Sequence, residues 1–190
     1  MDLRVFLVRH GETAWSKSGQ HTGRTNLPLT ADGEQAARRL GDRLRGMEFT
    51  RVLSSPRERA RRTFELAGVA ATLEIDPDLA EWDYGDYEGQ RTLEIHQSRP
   101  DWDIFRDGCP GGESPDQIGA RADRIILKLR SQEGNLAIFT HGHFGRVLAA
   151  RWIGLAAREG QRFLLGTASL SILAYEHNLP GSPVIALWNA

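Results

Sequence analysis

Three short apolar runs, at residues 3–8, 49–54 and 135–140, each give way within a few residues to a segment of helical period. Short runs that are apolar on both faces read as strands buried on both sides. Strand and helix alternating in this way leave few architectures open. The one expected is α/β: a three-layer sandwich with a central, mostly parallel sheet and helices on both faces. The first helix is predicted over 30–45, with Thr30 as N-cap, Gly33-Glu34 in the first turn, and Ala36, Ala37, Leu40 and Leu44 at helical spacing before Gly46. The second opens at Ser55-Pro56 and runs to about Leu66, and a short strand is predicted at 71–75. A long helix is expected from Ser114 or Pro115 through Arg130, another at 144–153, and antiparallel or edge strands at 168–175 and 184–188. Residues 16–25 are polar and read as a loop. Residues 79–114 read as an irregular, aromatic lid or insertion, with a helix near 92–98, inside a single domain spanning 1–190.

Ligands of such sheets bind at the carboxyl ends of the strands. His10 stands at one such end, in Arg9-His10-Gly11-Glu12-Thr13, and His141 at another, in Thr140-His141-Gly142-His143. A neutral imidazole is nucleophilic, and its ordinary pKa near neutrality suits a phosphorylated intermediate that forms and breaks down. The fork of Arg9 can hold two phosphate oxygens, and Gly11 lets the backbone approach a ligand. Taken alone, the pentapeptide also fits a histidine closing a strand in an ordinary loop. Two further segments add weight. Arg59, in Ser54-Ser55-Pro56-Arg57-Glu58-Arg59-Ala60, lies on the first turns of a helix after the second strand, near its positive end. Glu81, in Leu79-Ala80-Glu81-Trp82-Asp83-Tyr84-Gly85, is a candidate for giving a proton to the leaving oxygen and later taking one from water. Arg9, Arg59 and a protonated His141 would neutralise the phosphoryl oxygens.

Together these four blocks resemble the histidine phosphatase superfamily, the phosphoglycerate mutase-like enzymes, from Arg9 to about Ala149. The resemblance implies His10 as the phosphohistidine, Glu81 as proton donor, and Arg9, Arg59 and His141 as the phosphate pocket. A narrower likeness, to the sedoheptulose-1,7-bisphosphatase branch, runs through residues 15–23, 81–89 and 102–108. It implies that His21, Thr22, Tyr84 and Arg146 contact a sugar phosphate, with Gly142 beside them, although His21 stands where that branch is expected to carry tyrosine. The implied function is a metal-independent phosphatase of small phosphorylated sugars. The alternatives are a cofactor-dependent phosphoglycerate mutase and a catalytically silent phosphate-binding module.

Composition narrows the partners. The formal net charge is −1 in 190 residues, so nothing in the overall field invites nucleic acid or a membrane. Lys17 and Lys128 are the only lysines, and the other cations are arginine forks. Cys109 is the only cysteine, in a turn-rich stretch, and reads as a passive loop residue. Met1-Asp2 leads straight into the first strand without a basic region or long apolar core, which points to the cytoplasm. His141 and His143 form a His-x-His pair, but no spaced third ligand accompanies them, so neither a metal nor a cofactor is expected. His143 is expected to bond a carbonyl near the pocket, and His96 and His177, with no partner in sequence, to be surface or loop histidines. Oligomeric state stays open, a homodimer among the options.

Overall fold

The computed structural model of the chain describes residues 3–190; Met1 and Asp2, read above as a bare lead into the first strand, lie outside the described residues. The sheet comprises β1 (Leu3–Arg9), β2 (Arg51–Ser54), β3 (Leu73–Ile75), β4 (Gly134–Thr140), β5 (Leu170–Tyr175) and β6 (Pro183–Leu187), in the spatial order β3-β2-β4-β1-β5-β6. β1 to β4 are parallel to their neighbours in the set, while β5 joins β1, and β6 joins β5, antiparallel. The mostly parallel α/β sheet expected from the apolar runs is therefore present.

Helices cover both faces: α1 (Ala14–Ser18), α2 (Ala31–Leu44), α3 (Glu58–Ala67), α4 (Thr92–Ser98), α5 (Ile104–Asp107), α6 (Pro115–Arg130) and α7 (Gly142–Trp152). The caps follow the sequence. Thr30 accepts from the Gly33 N–H to start α2, and Ser114 forms a capping box with Gln117 at α6, where Pro115 occupies the first turn. Side-chain alternation along the strands makes two cores. Val5, Leu7 and Ile138 pack with α6 and α7 residues such as Ile118, Ile125 and Val147. Phe6, Val8 and Phe139 face the other way, against Leu40 and Leu44 of α2 and Ala60 of α3. Each fully buried large apolar side chain contributes roughly 1.5–3 kcal/mol. The two-sided layering thus holds β1 and β4, and the residues that follow them, in place.

Segment 79–114 contains a 3-10 turn at Gly85–Tyr87 as well as α4 and α5. Trp82, Tyr84, Trp102 and Phe105 belong to the same buried cluster as Val5 and Ile138. One expectation fails in 16–25, where residues 16–18 close a five-residue helix. Thr13 and Ser16 supply a complete capping box, and Gly19, at φ 82°, ends it. Several boundaries also shift. β2 starts at Arg51 rather than 49, β3 at Leu73 rather than 71 and β5 at Leu170 rather than 168. The helix expected to open at Ser55-Pro56 starts at Glu58, with Arg57 as its N-cap and Pro56 outside it. α7 starts at Gly142 rather than 144, and this shift matters most, because it makes His141 the residue that enters a helix. His96 Nε2 lies 2.8 Å from the Trp102 carbonyl. Among the described residues, no helix is long and apolar enough to cross a membrane.

Candidate active site

β1 and β4 pair in parallel through Arg9 and Thr140, and the next residue on each strand is a histidine. The His10 and His141 rings come within 5.1 Å, centroid to centroid. His10 is buried, and its Nδ1 lies 2.7 Å from the Gly11 carbonyl oxygen. A carbonyl only accepts, so Nδ1 carries the hydrogen and Nε2 keeps the lone pair. The Gly11 N–H in turn donates to Thr63 Oγ1 at 2.9 Å, and that hydroxyl donates to the Arg59 carbonyl at 2.7 Å. The backbone that follows His10 is thereby tied to α3. Burial, followed by the charges of Arg59 and Arg9, holds the His10 imidazole well below its ordinary pKa. His10 is therefore neutral, the state in which it can attack.

Arg59 and His141 are fully buried. Arg59 Nε donates to His141 Nδ1 at 3.2 Å, and His141 Nε2 lies 2.7 Å from Ser55 Oγ. Nδ1 accepts, so the ring hydrogen is on Nε2 and points to Ser55. Burial, then the charge on Arg59, push the His141 pKa well below the ordinary value. The expectation of a protonated His141 is corrected: in this arrangement it is a neutral ring with both nitrogens engaged. The other nitrogens of Arg59 donate to the carbonyls of Thr22, Gly23 and Thr25. Burial lowers the Arg59 pKa to about 10, which still leaves it a cation near neutral pH. Its charge sits behind the site and its donors shape the 22–25 segment.

Glu81 meets the start of α7. Its Oε1 accepts from the N–H groups of Trp82 at 2.9 Å and Phe144 at 2.8 Å, and its Oε2 from that of His143 at 3.1 Å. Helix N-terminal donors are natural partners of a carboxylate. Three accepted bonds set its plane, and a carboxylate still has lone pairs left to take a proton. Behind it, the Arg121 guanidinium donates to the carbonyls of Asp78, Ala80 and Glu81 and forms an ion pair with Glu113 at 2.7 Å.

A cavity of about 270 Å³ opens onto this constellation. Of the residues singled out in the sequence, His10, Arg9 and Glu81 line it, as do His21, Thr22, Tyr84, Gly142 and Arg146. Arg59 and His141 stand behind its wall. Arg9 donates through Nη1 to the Leu165 carbonyl, and its buried Nε has no protein partner. Arg146 lies over the Phe105 ring at 4.5 Å and donates to the carbonyls of Gly160 and Gln161, each at 3.0 Å. Thr22 donates through its hydroxyl to the Gln20 carbonyl. His21 stacks on Tyr84 at 4.7 Å, and burial lowers its pKa to about 4.

His143 also lines the cavity, and its Nδ1 lies 2.7 Å from the Tyr84 hydroxyl, not from a carbonyl as expected. Ser55 and Thr63 escaped the sequence reading as well. The only signal for Thr63 was its place one helical turn after Arg59, the (i, i+4) spacing that puts two residues on one face. Cys109 is buried, and burial pushes its thiol up to about 12, which is inert chemistry.

Gly142 is where the two strand ends press together. A Cβ there would meet Arg9 Cζ at 3.2 Å and Nε at 3.3 Å. Gly142→Ala is expected to displace the Arg9 fork and raise KM for a phosphomonoester about three- to tenfold, an effect of about 1 kcal/mol. Steady-state kinetics check this, and an unchanged KM would contradict it.

Residues 5–190 match the histidine phosphatase superfamily (branch 1). An acid phosphatase of Mycobacterium tuberculosis (strain ATCC 25618 / H37Rv) is 43% identical over 188 residues, covering 97% of this chain and 92% of that protein. The sedoheptulose 1,7-bisphosphatase of Saccharomyces cerevisiae (strain ATCC 204508 / S288c) is 40% identical in an alignment that takes in 82% of this chain and 69% of the yeast protein. A solved structure of an open reading frame of Mycobacterium tuberculosis superposes with a TM-score of 0.93 at 39% identity, covering 100% of this chain and 98% of that one. The chain belongs to the histidine phosphatase superfamily.

Proposed function

We propose that this phosphatase acts without a metal on small phosphorylated sugars, sugar bisphosphates among them, through a phosphohistidine intermediate. The observation that carries the reading is the bond from His10 Nδ1–H to the Gly11 carbonyl, 2.7 Å, in a cavity shared with Arg9 and Glu81. It leaves Nε2 as the only ring atom with a free lone pair.

Two steps follow. Nε2 attacks phosphorus and the P–O ester bond breaks, while the leaving oxygen takes the proton of the Glu81 carboxyl group. Water then attacks the phosphohistidine, gives its proton to the Glu81 carboxylate, and the P–N bond breaks to release inorganic phosphate. Arg9 holds equatorial oxygens, and the buried charge of Arg59 stabilises the anion from behind. The acid phosphatase and the sugar bisphosphatase among the relatives support hydrolysis over return of the phosphate to a second acceptor.

A phosphate-release screen over sugar mono- and bisphosphates, with and without a chelator, tests the reading. Release that survives chelation is expected. Release that stops with chelator and returns with added metal would overturn the metal-independent route. A flat response to every sugar phosphate would overturn the substrate class.

A further inference from the structure

We infer that His143 touches the substrate, donating its Nε2–H to a hydroxyl oxygen of the sugar on the leaving-group side, and that Tyr84 holds it in the tautomer that can donate. This rests on the sugar phosphatase reading above and deepens it by naming the group that reads the sugar.

Tyr84 is buried, and its hydroxyl lies 2.7 Å from His143 Nδ1. A buried hydroxyl hydrogen needs an acceptor, and among the described residues Nδ1 is the one within range. On this inference Tyr84 donates, Nδ1 accepts, and the ring hydrogen of His143 is left on Nε2. That nitrogen has no bonding partner among the described residues, and His143 lines the same cavity as His10 and Glu81.

Aromatic neighbours lock the ring. Phe105 and Trp82 stand edge-on at 5.4 and 6.3 Å, centroid to centroid, and Tyr84 at 5.8 Å. A ring flip would place a carbon where Tyr84 now finds its acceptor. Both partners are neutral: burial, then Arg146, His21 and Arg9, hold His143 well below its ordinary pKa, and burial raises Tyr84 well above its own. The backbone N–H of His143 also donates to Glu81 Oε2 at 3.1 Å. One residue thus holds Glu81 through its backbone and presents a neutral donor through its ring to the cavity that Glu81 also lines. A neutral, oriented N–H matches an uncharged hydroxyl better than a second anion.

The test compares two substrates, fructose 1,6-bisphosphate and phenyl phosphate, the second with no hydroxyl to read. His143→Phe keeps a ring and removes the donor. It is expected to lower kcat/KM on the sugar about tenfold more than on phenyl phosphate, the loss of one hydrogen bond. Tyr84→Phe frees the tautomer and should cost the sugar about threefold more than it costs phenyl phosphate. His143→Leu, which also removes the donor, gives the same comparison should the Phe variant not fold. Equal losses on both substrates would show a structural role and overturn the inference, as would no loss on either. Wild-type protein that hydrolyses phenyl phosphate but no sugar phosphate would instead sink the sugar phosphatase reading, and this inference with it.

Discussion

Replacing His10 by alanine is expected to lower phosphate release by at least about 10³-fold, because the covalent route disappears and only binding and electrostatics remain. Rapid-quench labelling with radioactive substrate should find an acid-labile phosphoryl group on the wild-type protein and none on the variant. An unlabelled wild-type enzyme turning over at full rate would sink the phosphohistidine route. The tautomer can be tested without substrate. Nitrogen-resolved NMR of the unliganded protein should show His10 neutral with its hydrogen on Nδ1, as the Gly11 carbonyl demands. The sign of the pH effect follows from burial and the two arginine charges. A depressed pKa means that the neutral, nucleophilic form persists below pH 6.5 and is lost only as the pH falls through the lowered value. The His10 resonances should therefore not titrate between pH 8 and 6; a midpoint near 6.5 would contradict the electrostatic account.

Glu81→Gln should cost about 10²- to 10⁴-fold in kcat on a sugar phosphate, the usual worth of a positioned acid and base. Leaving-group chemistry separates that role from mere scaffolding. A sugar alkoxide is strongly basic and needs its proton, whereas the oxygen of p-nitrophenyl phosphate leaves as a weak base. The loss on the nitrophenyl ester should be far smaller for phosphoenzyme formation. The variant also has a structural cost. Glutamine offers one acceptor oxygen where the native carboxylate uses two, for Trp82 and Phe144 on one side and His143 on the other. An unpaired backbone donor there would destabilise the fold by roughly 1–3 kcal/mol, which a thermal melt measures separately. Equal kinetic losses on both esters would remove Glu81 from the proton-transfer role.

Much of this was legible before any coordinates. The apolar runs at 3–8 and 135–140 become β1 and β4, and Thr30 and Ser114 cap the helices they were expected to cap. These features depend on periodicity and on hydrogen bonds between near neighbours in the chain. Helix α1 was missed because it is five residues long, too short for a periodic pattern, and rests on the single Thr13–Ser16 box. Of the ten expected site residues, His10, Arg9, Arg59, Glu81 and His141 follow from side-chain chemistry and block position, and His21, Thr22, Tyr84, Arg146 and Gly142 from the family resemblance. Eight line one cavity, while Arg59 and His141 lie behind it with their polar atoms turned to protein partners. Burial of that kind depends on what packs outside a residue, which residue type alone does not state.

The sequence by itself determined the layered α/β architecture and which strand ends carry reactive side chains, since local hydrophobic period and residue chemistry suffice for both. Only the tertiary structure decided the protonation pattern. Gly11 sets the His10 tautomer, Arg59 and Ser55 use both nitrogens of His141, Tyr84 takes Nδ1 of His143, and the first turn of α7 seats Glu81. The physical reason is that a proton's location depends on donors and acceptors within about 3 Å, and except at His10 these are brought together here from segments distant in the chain.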